Sequence, residues 1–335
     1  MLSSIKLMSF ARFFLAAAQL ALPASACFAY DPLTTGPAPT VTDLTADAPG
    51  NRQLPLRIFL PQDSGTPGEP APVILFSHGL GGSREGSNFL GEHWSARGYV
   101  TVFIQHPGSD AGIWQGKRPA EIRRAMQAAA SGENYRLRIQ DVDTVLDFLE
   151  SAHTATASPL YGRLDLARIG MAGHSFGAKT TQAVAGEQTG LPGRPSSFAD
   201  PRIKAALPMS PSPSPRLDPA VSFAQVTLPW LLMTGTEDAA PSFITNTSPN
   251  DRRAVFPALP PGGKYELVLN GGHHHAFTER EVRRAPPRNP NHHRLILASS
   301  TAFWDAYLRD DADALSWLNS GIHDLLEPGD TWQAK

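Results

Sequence analysis

The chain's 335 residues are 41% hydrophobic and 18% charged, with a formal net charge of −2, which is ample material for a large core. No basic stripe or repeat interrupts that balance, so nucleic-acid binding has no electrostatic support. The single cysteine, Cys27, excludes an intrachain disulfide and a thiol nucleophile elsewhere, and the 31 prolines, gathered between elements, point to stiff loops.

The N-terminus reads as an export signal over 1–29. Lys6 and Arg12 supply positive charge, 13–22 is an apolar core, and small residues offer cleavage after Ala29 or after Ala26. Lipid attachment at Cys27 is an alternative, though the preceding Ala24-Ser25-Ala26 lacks the usual leucine. The apolar run is short for a membrane span. The expectation is an exported, soluble protein whose folded domain is 30–335.

Residues 31–51 are rich in Pro, Thr and Ala and predict an extended arm over the surface. A strand is expected at 56–60, and Val73-Ile74-Leu75-Phe76 has the continuous apolarity of a central parallel strand. It runs into Ser77-His78-Gly79-Leu80-Gly81-Gly82, a glycine-rich loop in which His78 reads as a structural hydrogen-bonder. A helix over 84–97 stops at Gly98, followed by a strand at 99–104. His106 is a candidate for lining a site at that strand's end, or a loop histidine with no role. The 119–130 stretch predicts a helix, either solvated or part of a lid over 111–134. Apolar Ile139, Val142, Val145, Leu146 and Leu149 have helical spacing within 138–150, leaving Asp141, Asp143 and Asp147 for its solvated or structural face.

The stretch with the clearest chemistry is Gly173-His174-Ser175-Phe176-Gly177, set between an apolar strand at 167–172 and a helix over 178–185. Gly-x-Ser-x-Gly in that context is a nucleophile elbow. A turn this tight leaves no room for Cβ atoms two places either side of the serine, and it strains the serine itself so that the hydroxyl stands clear of the sheet. The helix that follows aims free N–H groups at an anion formed beside that hydroxyl. An oxyanion hole then pairs the N–H of Phe176 with that of Leu80 from the glycine loop.

Downstream, 186–200 reads as loop, 203–207 as strand, 210–219 as a stiff Ser-Pro segment, 227–234 as strand, 265–269 as the last strand, and 292–308 as a closing helix. The alternation predicts a doubly wound, mostly parallel sheet in one domain. A triad in this build follows the order nucleophile, acid, histidine. Of the seven carboxylates between Ser175 and His274, only Glu237 and Asp238 follow a predicted core strand directly; Asp238 is preferred and Glu237 is the alternative. Among the adjacent His273, His274 and His275, the Gly271 and Phe277 spacing selects His274. A metal site is disfavoured, because neighbouring loop residues rarely aim at one point and no recognised ligand spacing occurs; no cofactor is expected.

These residues resemble the serine α/β-hydrolases, in particular the bacterial predicted dienelactone hydrolases and the platelet-activating factor acetylhydrolases. The likeness rests on 76–81, 170–177, 235–238 and 271–277. It implies the α/β-hydrolase fold and a Ser175-Asp238-His274 triad with Leu80 and Phe176 as oxyanion donors. The activity expected is that of a serine carboxylic ester hydrolase acting on small esters of short to medium chain. A lipase-like or polyester-degrading enzyme is the second reading, with Trp114, Phe176, Phe243, Ile244 and Phe277 lining an acyl site. A catalytically silent binding protein on the same fold is the third. True dienelactone hydrolases use cysteine where this chain has Ser175.

Overall fold

The computed structural model describes residues 30–62, 69–279 and 287–335. The expected export signal over 1–29 and Cys27 lie outside the described residues. Nine strands form one sheet in the order β1-β2-β4-β3-β5-β8-β9-β10-β11. In chain order these are β1 (Thr40–Ala48), β2 (Arg52–Leu60), β3 (Ala71–Ser77), β4 (Val100–Ile104) and β5 (Leu164–His174). They continue with β8 (Ile203–Met209), β9 (Trp230–Glu237), β10 (Lys264–His273) and β11 (Thr331–Ala334). A separate hairpin pairs β6 (Gln188–Leu191) with β7 (Arg194–Ser197). Strands β4, β3, β5, β8, β9 and β10 run parallel, while β1, β2 and β11 are antiparallel to their neighbours. This is the mostly parallel, doubly wound sheet of the α/β-hydrolase fold.

The central strands are apolar on both sides because both sides are covered. Along β3, Ile74 and Phe76 enter one core with Leu90 and Trp94 of α1 (Asn88–Ala96) and the apolar face of α8 (Pro290–Leu308). Val73 and Leu75 point the other way, onto Val142, Val145 and Leu149 of α3 (Gly132–Thr154). The remaining helices are α2 (Pro119–Ala129), α4 (Phe176–Val184), α5 (Pro219–Ser222), α6 (Pro249–Arg253), α7 (Val255–Ala258) and α9 (Ala312–Asn319). Among the described residues no helix is long and apolar enough to cross a membrane.

Several expectations need correction. The surface arm over 31–51 instead contains an edge strand, β1, whose Ala46 and Ala48 are buried while alternate residues face out. The helix expected from 84 starts only at Asn88. Residues 83–86 close a turn through the Gly86 N–H and Ser83 carbonyl, and the Arg84 side chain leaves to bond the Leu56 carbonyl and Asp43. The loop over 186–200 contains the β6-β7 hairpin, and the strand at 265–269 is not the last, since β11 adds to its outer edge. Asp143 and Asp147 are exposed and bound by Arg202, whereas Asp141 turns inward.

Candidate active site

The strand ends bring the site together. The glycine loop follows β3, Ser175 follows β5, Asp238 follows β9, and His274 follows β10, all at the C-terminal edge of the parallel strands.

Ser175 sits at φ 59° and ψ −111°, a strained backbone held by its surroundings. The flanking glycines show what compresses it. A Cβ on Gly173 would lie 2.4 Å from the Gly177 carbonyl oxygen, and one on Gly177 would lie 1.8 Å from that of Ser77 on β3. Strand, turn and helix therefore close only with glycine at both places. Phe176 opens α4, so no preceding turn of that helix supplies an acceptor for its N–H.

The Ser175 hydroxyl lies 2.8 Å from Nε2 of His274, and Nδ1 of that ring lies 2.7 Å from Oδ1 of Asp238. Asp238 is completely buried, so its charge must be matched. Thr234 Oγ1 donates to Oδ2 at 2.9 Å, and Arg252 Nε lies 3.0 Å from Oδ1. Burial alone pushes the carboxyl up. The hydrogen bond from His274 and the charges of His274 and Arg252 outweigh it and hold Asp238 below the usual carboxylate range. An ionised Asp238 fixes the Nδ1–H tautomer of His274, leaving Nε2 free to accept from Ser175.

The alternative acid, Glu237, faces outward and pairs with His273 at 3.1 Å. His273 stacks on His275, so of the adjacent histidines only His274 reaches Ser175 and Asp238. Asp251, another of the carboxylates in that interval, caps α6 from the surface. Among the described residues, no three of His, Cys, Asp and Glu are grouped to hold a metal ion.

Leu80 lines a cavity of about 240 Å³ together with Ser175, Met126, His174, Ile244 and His275. No acceptor for the Leu80 N–H occurs among the described residues. A smaller cavity of about 120 Å³ adjoins it, sharing Leu80, Ser175 and Ile244 and reaching Phe176, Lys179 and Thr247. Of the aromatic residues considered for an acyl site, Phe176 lines this smaller cavity, while Phe277 is buried against His174. Trp114 bonds the Gly81 carbonyl, and Phe243 lies under Arg123.

His106 is wholly buried and bridges Ser77 and Asp141, with Nε2 2.9 Å from Ser77 Oγ and Nδ1 2.9 Å from Asp141 Oδ2. His78 accepts from the His106 N–H at Nε2 and so donates from Nδ1 to the Gly79 carbonyl at 2.7 Å. Both imidazoles are pushed down in pKa, first by burial and then by the neighbouring Arg138.

Sequence reasoning missed Arg252, Met126 and His174. Arg252 had one local signal: the Ser248-Pro249-Asn250-Asp251 capping box starts α6 and thereby orients the arginine beneath the acid. Met126 lay in the segment already considered as a lid. His174 had only its place beside Ser175; its ring lies 4.7 Å from that of His274.

Fold and site together have the organisation of a serine hydrolase of the α/β-hydrolase class. A model of the family described as PET hydrolase-like matches residues 125–285, just under half the chain, and this span contains Ser175, Phe176, Asp238, Arg252 and His274. The chain is also similar to platelet-activating factor acetylhydrolase of Cavia porcellus, 23% identical over 138 residues, covering 34% of this chain and 31% of that protein. It thus spans about a third of the length of that curated relative.

Proposed function

We propose that the protein is a serine carboxylic ester hydrolase acting through an acyl-enzyme on short- to medium-chain esters. The observation that carries the reading is the pair of contacts joining Ser175 to His274 at 2.8 Å and His274 to Asp238 at 2.7 Å at a strained elbow. His274 Nε2 takes the hydroxyl proton as Ser175 Oγ attacks the ester carbonyl, and Asp238 stabilises the imidazolium that forms. The oxyanion accepts from the Leu80 and Phe176 N–H groups, each worth about 3 kcal/mol of barrier. The same proton leaves with the alcohol, and water then repeats the sequence on the acyl-enzyme. The likeness to an acetylhydrolase and to PET hydrolase-like proteins favours ester chemistry.

The test is intact-mass analysis after diisopropyl fluorophosphate, beside Ser175→Ala. One adduct on the wild type and none on the variant is expected. A folded wild type without an adduct sinks the reading and leaves the silent binding protein. A second reading, polyester degradation, is favoured by the family match and by the apolar Met126 and Ile244 in the larger cavity. Turnover of bis(2-hydroxyethyl) terephthalate against a p-nitrophenyl ester series separates the two. Export is part of the proposal and rests on the character of residues 1–29; intact mass of protein recovered outside the cytoplasm tests it.

A further inference from the structure

Arg138 on α3 is a wholly buried cation, and among the described residues it makes no ion pair. Asp141, three residues along the same helix, is held bidentately by Arg52 and also by His106. A buried charge without a counter-ion is costly unless carbonyls and hydroxyls replace its water. Arg138 is surrounded by such groups, and they belong largely to the glycine loop. It donates to the His78 carbonyl at 2.6 Å, to Ser109 Oγ at 2.8 Å and to Ser77 Oγ at 3.3 Å, with the Ser109 and Gly79 carbonyls at 3.4 and 3.5 Å.

The geometry of the Gly79 carbonyl has a chemical consequence. It receives the His78 Nδ1–H at 2.7 Å and the Gly82 N–H at 3.0 Å, with Arg138 beyond. A trans peptide points its C=O and N–H in opposite directions. Turning the Gly79 oxygen toward these donors turns the Leu80 N–H away from them, and Leu80 lines the cavity beside Ser175. The second donor is braced by the same group, since the guanidinium lies 4.6 Å above the Phe176 ring. Burial lowers the Arg138 pKa to about 9, with Asp141 and Asp110 opposing, so the charge persists at neutral pH.

We propose that Arg138 is a positioning residue for the oxyanion hole, locking the 78–80 peptides and the Phe176 side chain so that both N–H donors are aimed before substrate arrives. The inference rests on the serine esterase reading above. It predicts a defect confined to stabilisation of the oxyanion, separate from acyl binding.

The test compares wild type, Arg138→Met, Arg138→Lys and Ser109→Ala on p-nitrophenyl acetate and its thiono counterpart, whose C=S sulfur is a poor acceptor. Wild type should prefer the oxygen ester strongly. Folded Arg138→Met should lose about 10- to 100-fold in kcat, with KM within about 3-fold and a smaller oxygen-to-sulfur preference. Arg138→Lys, which keeps the charge without the fork, should fall between. A folded Arg138→Met with unchanged kcat, or with reduced kcat and unchanged preference, overturns the proposal. Should Arg138→Met not fold, Ser109→Ala decides: a diminished preference supports positioning, and an unchanged one overturns it. Wild type with neither turnover nor a fluorophosphonate adduct overturns the esterase reading itself, an outcome distinct from those above.

Discussion

Arg252 Nε lies 3.0 Å from Oδ1 of Asp238, the same oxygen that meets His274, and donates at 2.7 Å to the Asp238 backbone carbonyl. Its Nη1 donates to the Ser210 and Pro211 carbonyls and to Ser212 Oγ. One buried arginine thus neutralises the acid and joins two loops behind it. Arg252→Met should cost about 3–5 kcal/mol in urea unfolding, because a buried carboxylate loses its cation. The pH sign follows from the depressed Asp238 pKa. Its contribution is complete above the ordinary carboxylate value and is lost as pH falls through the lower folded value. Removing Arg252 lessens the depression, so acid unfolding should move to higher pH. An unmoved acid midpoint would show that the charge of Arg252 is not felt at Asp238.

The strained backbone at Ser175 predicts opposite effects on stability and chemistry. Ser175→Gly should raise stability by about 1 kcal/mol, since glycine tolerates φ 59° without the Cβ penalty. It should also abolish fluorophosphonate labelling. Ser175→Ala should lose labelling with no gain in stability. Thermal melts of the two variants check this, and a destabilised Ser175→Gly would place the strain elsewhere.

What could be read from the sequence and what could not divide along physical lines. The elbow was legible because its constraint is local sterics between residues a few places apart. Strands such as β3 and β9 were legible because burial on both faces leaves an unbroken apolar run. Edge strand β1 was not, because Thr40–Ala48 buries mainly alanines and its period of two is carried by weak side chains. The roles of Arg252 and Arg138 depend on partners 14 and 60 residues away, and an arginine on a helix otherwise reads as solvated. The same holds for Asp141 on α3, whose partner Arg52 stands on β2, 89 residues away.

The helix α2 contributes Met126 to the lining of the larger cavity, which Ile244 also lines. It is tied to the facing loop by Gln127, which donates to the Phe243 carbonyl at 2.8 Å, and by Arg123 above the Phe243 ring. Shortening Met126 should make room for a longer acyl chain while removing contacts from a short one. For Met126→Ala, kcat/KM on p-nitrophenyl octanoate relative to acetate should rise about 10-fold, the scale of a few methylenes in an apolar pocket. An unchanged ratio would mean that the acyl chain lies in the smaller cavity past Phe176 instead.

The buried histidines make a prediction about acid stability that is independent of turnover. His106 is pushed down to about 4, first by burial and then by Arg138, while its contact with Asp141 opposes the shift. The unfolded chain takes up that proton near the ordinary value of about 6.5. Between these values the unfolded state binds more protons, so stability is complete above about 6.5 and falls as pH drops toward 4. The slope per histidine is about 1.4 kcal/mol per pH unit. His78 and His174, also buried and pushed down, add to the same trend. In His106→Asn the amide can still donate to Asp141, and urea unfolding across a pH series should show a shallower slope by about one proton. Equal slopes would mean that His106 takes up its proton alike in both states, and the buried Ser77–His106–Asp141 array would then not be held in a neutral-imidazole form.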